Sequence, residues 1–233
     1  MSEVPPGATE ASDEVLARPE QQRTSIRPAI KSAILVIFAL TWLIMFVGHA
    51  GSADRTVFAH IYGRGGADGV RIAKVITHLG TAAFLYAAVV ITASILLFKR
   101  RVRDAALLII VPTICRFLVF IQKITFALPR PNRLFHHVTV HTFAFPSGHS
   151  ANSMATLLCL SMILTASGRP RQLSVAASLA IAFAIGISRI ILGVHWPSDV
   201  MGGWAFGALW TVGALWVVDA LGARTRGSAR SLL

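Results

Sequence analysis

Apolar residues in this chain gather into long runs, without the strict alternation of a half-buried strand or the narrow stripe of a surface helix. Six runs stand out, at about 29–47, 75–98, 105–121, 150–166, 173–192 and 200–221. Each approaches the ~20 residues that a helix needs to cross the hydrocarbon of a bilayer. The segments between them collect Lys, Arg, His, Pro and Gly. Hydrocarbon satisfies no backbone N–H or C=O, so such runs must pair their own backbone as helices. The pattern predicts an all-α fold, a six-transmembrane helical bundle formed by one domain over residues 29–222. Residues 1–28 are polar and without periodicity, so burial cannot offset their ordering entropy, and they are expected to form a disordered cytoplasmic tail. Their length and the poor cleavage site that follows argue for a retained first span over a secretory signal. Residues 223–233 read as a short basic cytoplasmic tail.

Composition narrows the class further. Of 233 residues 55% are hydrophobic and only 14% charged, with a mean hydropathy of +0.66. A soluble domain carries about 25% charged residues, so a water-soluble globule is excluded. The formal charge is +12, and half of the ten acids (Glu3, Glu10, Asp13, Glu14, Glu20) lie in the first 20 residues. The basic residues bracket the apolar runs, which assigns them to lipid headgroups and to orientation in the membrane; no nucleic-acid partner is expected. With the N-terminus inside, thirteen Lys and Arg fall on the cytoplasmic side and nine on the other, most clearly at Lys99, Arg100, Arg101 and Arg103. Both termini are therefore expected in the cytoplasm, with the site described next on the external or periplasmic side of an integral, bacterial inner membrane protein. Cys115 and Cys159 lie in apolar runs and read as packing residues. The sequence carries no signature of an oligomeric state.

Two features concern packing. Residues 48–74 form the longest segment between spans; Val57, Phe58, Ile61 and Tyr62 suit a helix lying along the interface, whereas Gly63, Gly65, Gly66 and Gly69 suit an irregular loop. In the last run, Gly203 and Gly207 form a small-xxx-small pair that lets a neighbouring helix approach.

Polar clusters at the external ends of the later spans carry the chemistry. Lys123 and Arg130 are seven residues apart, two helical turns, which predicts a shared face before Pro129 and Pro131 end the helix. Pro146-Ser147-Gly148-His149 precedes an apolar helix, so the N–H groups of Ser147 and Gly148 are candidates to face an anion, with His149 as a proton donor on the first turn. Ser188-Arg189 is followed by His195 and Asp199, four residues apart, so the carboxylate can hold one ring nitrogen and leave the other free as a nucleophile. Arg189 at the end of a buried helix requires a partner. Three further histidines, His136, His137 and His141, suggest zinc, but no carboxylate or cysteine lies nearby and headgroup contact is the stronger expectation; no metal or other cofactor is expected.

Together the first three clusters resemble the type 2 phosphatidic acid phosphatase family, which also includes vanadium haloperoxidases. Its pattern, Lys with Arg-Pro after six residues, then Pro-Ser-Gly-His, then Ser-Arg, five residues, His, three residues, Asp, is matched by Lys123 to Pro131, Pro146 to His149 and Ser188 to Asp199. The resemblance covers about residues 75–220. It implies that Lys123, Arg130, Arg189, Ser147 and Gly148 hold a phosphate, that His195 attacks phosphorus to give a phosphohistidine with Asp199 orienting it, and that His149 protonates the leaving group. The implied activity is metal-independent hydrolysis of a lipid phosphomonoester or diphosphate held in the bilayer. A transporter would also place charged residues in spans, but nearer the midplane and beside broken helices. A haloperoxidase would be soluble.

Overall fold

The computed structural model describes residues 28–230, with side chains from Ala29 to Gly222. Expectations for residues 1–27, including the disordered tail, lie outside the described residues. Chain packing separates Met1–Ile34, of which only the opening of the first helix is described, from a compact body, Leu35–Leu233.

Among the described residues the regular structure is all helical, with α1 at Pro28–Val47, α2 at Ser52–Ile61, α3 at Gly66–His78, α4 at Ala82–Phe98, α5 at Val102–Phe126, α6 at Gly148–Leu164, α7 at Arg169–Ile191 and α8 at Pro197–Arg230. A 3₁₀ turn spans Arg133–Phe135. Five stretches are long and apolar enough to cross a membrane: Ala29–Val47, Gly66–Phe98, Val102–Phe126, Arg169–Ile191 and Pro197–Gly222. The sixth expected span, α6, has 17 residues. It is the central helix, packed between α5, α7 and α8, and most of its length is buried.

The segment before the second span resolves into both forms its composition allowed. Ser52–Ile61 is a helix, and the turn after it contains Gly63, Gly65 and Gly66 at positive φ. α3 then begins well before the expected start of span two, and α3 and α4 meet at a break over Leu79–Thr81. Thr81 caps α4 through its hydroxyl.

Small residues set the helix spacing around α6. A Cβ at Gly203 would stand 2.7 Å from the Ser147 carbonyl oxygen and 2.9 Å from Ser150 Cβ, and one at Gly207 3.0 Å from Met154 Cβ. The small-xxx-small pair thus lets α8 lie directly on α6. Buried polar groups are paired across the same seams. Ser161 and Ser178 hydroxyls are 2.7 Å apart, and Trp204 and Trp210 donate their indole N–H groups to the carbonyls of Ala182 and Val111. Cys115 and Cys159 are free thiols inside apolar clusters, as packing residues should be.

Candidate active site

Asp199 occupies the first turn of α8 and organises its surroundings. One carboxylate oxygen, Oδ2, lies 3.1 Å from His195 Nδ1 and accepts the Trp196 backbone N–H at 2.9 Å. Reaching back to the residue before the helix is half of a capping box, with an acid also well placed at the positive end of the dipole. The other oxygen, Oδ1, is 3.1 Å from His49 Nε2. That separation suits an ion pair, but the two atoms are not aligned as a hydrogen bond. His195 and Asp199 are both fully enclosed.

With Nδ1 on the carboxylate, His195 presents Nε2 outward, where it stands 2.9 Å from Arg130 Nη1. A guanidinium only donates, so Nε2 is the accepting, unprotonated nitrogen. Burial, and then the charges of Arg130, Lys123, Arg189 and His149, hold the pKa of His195 well below its usual value. The imidazole is a neutral base at physiological pH. Those same charges show how the three sequence clusters converge on one ring.

Arg130 reaches the ring by a different route from the one its spacing predicts. α5 ends at Phe126 and Ala127 turns into the left-handed region, so Lys123 and Arg130 do not share a helix face. The loop folds back instead. Arg130 donates to the carbonyls of Thr142, Phe143 and Val194 and to the Thr142 hydroxyl, and Lys123 Nζ donates to the carbonyls of Phe143 and Ala144 at 2.7 and 2.9 Å. Carbonyls of residues 142–144 hold both cations. Arg189 donates to the Thr77 hydroxyl at 2.7 Å, while its buried Nε has no partner. Among the described residues no carboxylate pairs with Lys123, Arg130 or Arg189.

Ser147 also departs from expectation. Its N–H is not free for an anion, because it donates to the Asp199 backbone carbonyl at 2.8 Å and so ties the start of α6 to the start of α8. Its hydroxyl oxygen caps α6 and accepts from Ser150. Gly148 and His149 line a cavity of about 460 Å³ together with Lys123, Arg116 and Asn152. The nearest atoms to a Cβ at Gly148 would be Lys123 Cε and Asn152 Nδ2, each at 3.8 Å, and a Cβ at Gly80 would stand 3.1 Å from His149 Cδ2. A second cavity, about 820 Å³, opens on the loop beyond Arg130. There His136 Nε2 is 3.1 Å from the Pro131 carbonyl and His137 stacks on Tyr62, so the loop histidines face different partners.

Three supporting residues had no motif to announce them. His49 backs Asp199, and Thr77 holds Arg189. Asp54, buried in α2, accepts the Ser198 N–H at 2.8 Å, the Ser198 hydroxyl, and the Ala50 N–H. It thereby supplies an external cap for the second residue of α8. The available signal was that Asp54 and Asp68 are the sole acids between the first two expected spans.

An enclosed His–Asp pair thus stands beside three cations without counter-carboxylates, an arrangement suited to an anion. A protein-family model described as the PAP2 superfamily matches residues 102–223. The chain belongs to this superfamily. It is 34% identical to phosphatidylglycerophosphatase B of Bacillus subtilis over 141 residues, 58% of this chain and 68% of that protein. It is 27% identical to an undecaprenyl-diphosphatase of Sulfolobus acidocaldarius over 128 residues, 53% of this chain and 59% of that one. The crystal structure of a transmembrane PAP2-type phosphatidylglycerolphosphate phosphatase from Bacillus subtilis superimposes with a TM-score of 0.71 at 27% identity, over 82% of this chain and 96% of that one. This PAP2 protein is thus an integral membrane phosphatase of all-helical fold.

Proposed function

We propose that this PAP2 phosphatase hydrolyses a phosphate ester of a membrane lipid, with His195 as nucleophile, His149 as acid and base, and Lys123, Arg130 and Arg189 as the phosphate clamp. The observation that carries this reading is the set of three cations with no carboxylate, gathered around one neutral imidazole. A buried unpaired charge costs several kcal/mol, and a bound phosphate dianion removes that cost. The same dianion offsets the cations around His149 and favours its imidazolium form.

In the first step the His195 Nε2 lone pair attacks phosphorus and the bond to the lipid oxygen breaks, giving a phosphohistidine. Arg130 leaves Nε2 for a phosphate oxygen, and Asp199 holds the Nδ1 proton and balances the charge the ring acquires. His149 gives its proton to the departing alkoxide. In the second step His149 takes a proton from water, the hydroxide attacks phosphorus, and the bond to Nε2 breaks, releasing inorganic phosphate and restoring His195. The clamp neutralises the transferring group throughout, the usual source of catalysis in phosphoryl transfer. Gly148 keeps the first turn of α6 free of a side chain beside Lys123, and the Ser147 hydroxyl retains its proton for a phosphate oxygen.

We place six spans in the membrane of a bacterial cell, with both termini cytoplasmic and the site on the external side, on the strength of the distribution of Lys and Arg. The relatives act on glycerophosphate and prenyl diphosphate lipids by name, which supports a lipid substrate here. The deciding experiment is phosphate release by the purified protein in detergent from phosphatidic acid, phosphatidylglycerophosphate and undecaprenyl diphosphate, beside His195→Ala. Release by the parent and none by the variant supports the assignment. Phosphate release that survives in His195→Ala refutes it.

A further inference from the structure

The 460 Å³ cavity continues away from Lys123 and His149 along α5, between α4 and α6. Its wall there is Tyr86, Phe117 and Phe120, three aromatic side chains turned outward from the bundle as befits a path for acyl chains. A charged residue lies among these rings. Arg116 sits two helical turns before Lys123 on α5, about 10 Å closer to the middle of the bilayer at 1.5 Å per residue. Exposed on the outer side of α5, it stacks over the Tyr86 ring, 5.7 Å from the centroid, and among the described residues it has no carboxylate partner. A cation within a span is costly and calls for an anion or a water path. Beside it Asn152, 92% buried by its 8% exposure, lines the same groove with an Oδ1 that has no partner. The cation–π stack alone returns less than an unpaired arginine in hydrocarbon costs.

We infer that Arg116, with Asn152, forms a second anion subsite that reads the leaving group, and that the preferred substrate carries a phosphodiester one glycerol unit inward from the phosphate being removed. This rests on the phosphatase reading above. The direction fits, because in such a lipid the terminal monoester lies outermost and the phosphodiester lies next to the acyl chains. The spacing discriminates among lipids. The two phosphates of a diphosphate share an oxygen and are too close together for both to reach cations two turns apart. Phosphatidic acid offers Arg116 nothing anionic behind the phosphate that reacts. Asn152 is suited to the glycerol hydroxyl, which can donate to its free Oδ1.

The test compares kcat/KM for phosphatidylglycerophosphate and phosphatidic acid in parent, Arg116→Gln, Arg116→Lys and Tyr86→Leu. The parent should favour the glycerol-bridged substrate at least tenfold. Arg116→Gln should bring the ratio close to one, mainly through KM, while Arg116→Lys keeps part of it. Tyr86→Leu, which removes the stack but not the charge, should preserve the ratio. A ratio unchanged in Arg116→Gln, with both substrates still hydrolysed, overturns the subsite and leaves the phosphatase reading standing. Equal losses for both substrates, with a lowered Tm, would make Arg116 a packing residue and also overturn it. Failure of the parent to hydrolyse any lipid phosphate would bring down the underlying reading itself.

Discussion

At the corner between α7 and α8, both ring nitrogens of His195 and the Oδ2 atom of Asp199 are already engaged by protein. His195 is held by Asp199 and Arg130, and Asp199 Oδ2 by His195 and the Trp196 N–H, while His49 Nε2 stands 3.1 Å from Oδ1 without a hydrogen bond. In the groove between α4, α5 and α6, by contrast, Asn152 Oδ1 is unpartnered and Arg116 rests on a ring. Reacting atoms gain from being fixed before substrate arrives, because reorganisation at the moment of reaction is then avoided. Groups that recognise a substrate gain from being left for it to satisfy, since an analogue lacking the partner then leaves a buried polar atom bare. The same bundle serves both needs because its central helix, α6, borders the fixed corner through Ser147 and the open groove through Asn152.

The largest loss is expected at the proposed nucleophile. His195→Ala should lower turnover by on the order of 10⁴-fold or more, as nucleophile deletions do. Acid-quench trapping with ³²P-labelled substrate should find phosphoenzyme in the parent and none in the variant. His149→Ala should instead be partly rescued by an activated aryl phosphate, because a good leaving group needs little protonation. Equal rescue of His195→Ala would move the nucleophile elsewhere.

A smaller but still large effect is expected from a residue that touches no substrate. Asp54→Ala strips partners from the Ser198 and Ala50 N–H groups and the Ser198 hydroxyl, at a cost of about 2–4 kcal/mol. The first turn of α8 carries Asp199, so a displacement of even an ångström there can cost on the order of 10²-fold in rate. Asp54→Asn keeps one acceptor and should recover part of both losses. Phosphate release alongside thermal unfolding in detergent would check it, and a destabilised Asp54→Ala with full kcat would detach the cap from the chemistry.

How much of this was readable from sequence divides along the same line. The apolar runs located the long helices because helix length in lipid is set by bilayer thickness, and three local motifs located the residues that gather around His195 because each lies within about ten residues of chain. His49, Asp54 and Thr77 were not legible. They act on α7 and α8 from more than 100 residues away, except that His49 and Asp54 are near one another, and a tertiary contact of that range leaves no periodicity. The fold-back of residues 127–144 was hidden for a related reason. A two-turn spacing predicts a shared face only while the helix continues, and the left-handed Ala127 ends it before Arg130. The break of α3 from α4 was foreseeable at best from Gly80, where a side chain would collide with Ile185 and crowd His149.

The fixed corner also makes a claim about pH. A histidine whose pKa is depressed keeps its free-base form as pH falls, so His195 remains nucleophilic through pH 6 and is lost only well below its ordinary value near 6.5. The acid limb of kcat/KM assigned to His195 should accordingly lie below 6.5 in the parent. Burial is the main cause and Arg130 the next, so Arg130→Gln should move that limb upward without bringing it past 6.5, on top of weaker phosphate binding. The upward move costs a few-fold in activity near pH 6 relative to pH 8. A limb that stays in place would mean that burial alone sets the titration of His195.

The smallest effects belong to the loop histidines, which belong neither to the α7–α8 corner nor to the groove. A divalent cation needs several ligands converging on one point, and among the described residues no three His, Cys, Asp or Glu side chains do so. His136 turns to the Pro131 carbonyl, His137 lies flat on Tyr62, and His141 is exposed. The clamp proposed above would supply the positive charge that a metal would otherwise bring, from Lys123, Arg130 and Arg189. His141→Ala should therefore change phosphate release by no more than about twofold, the range of an ordinary surface substitution. EDTA should have as little effect on the parent, whereas vanadate, which stands in for pentacoordinate phosphorus, should block it. An activity abolished by EDTA, restored by zinc and lost in His141→Ala would transfer the chemistry from the α7–α8 corner to the loop.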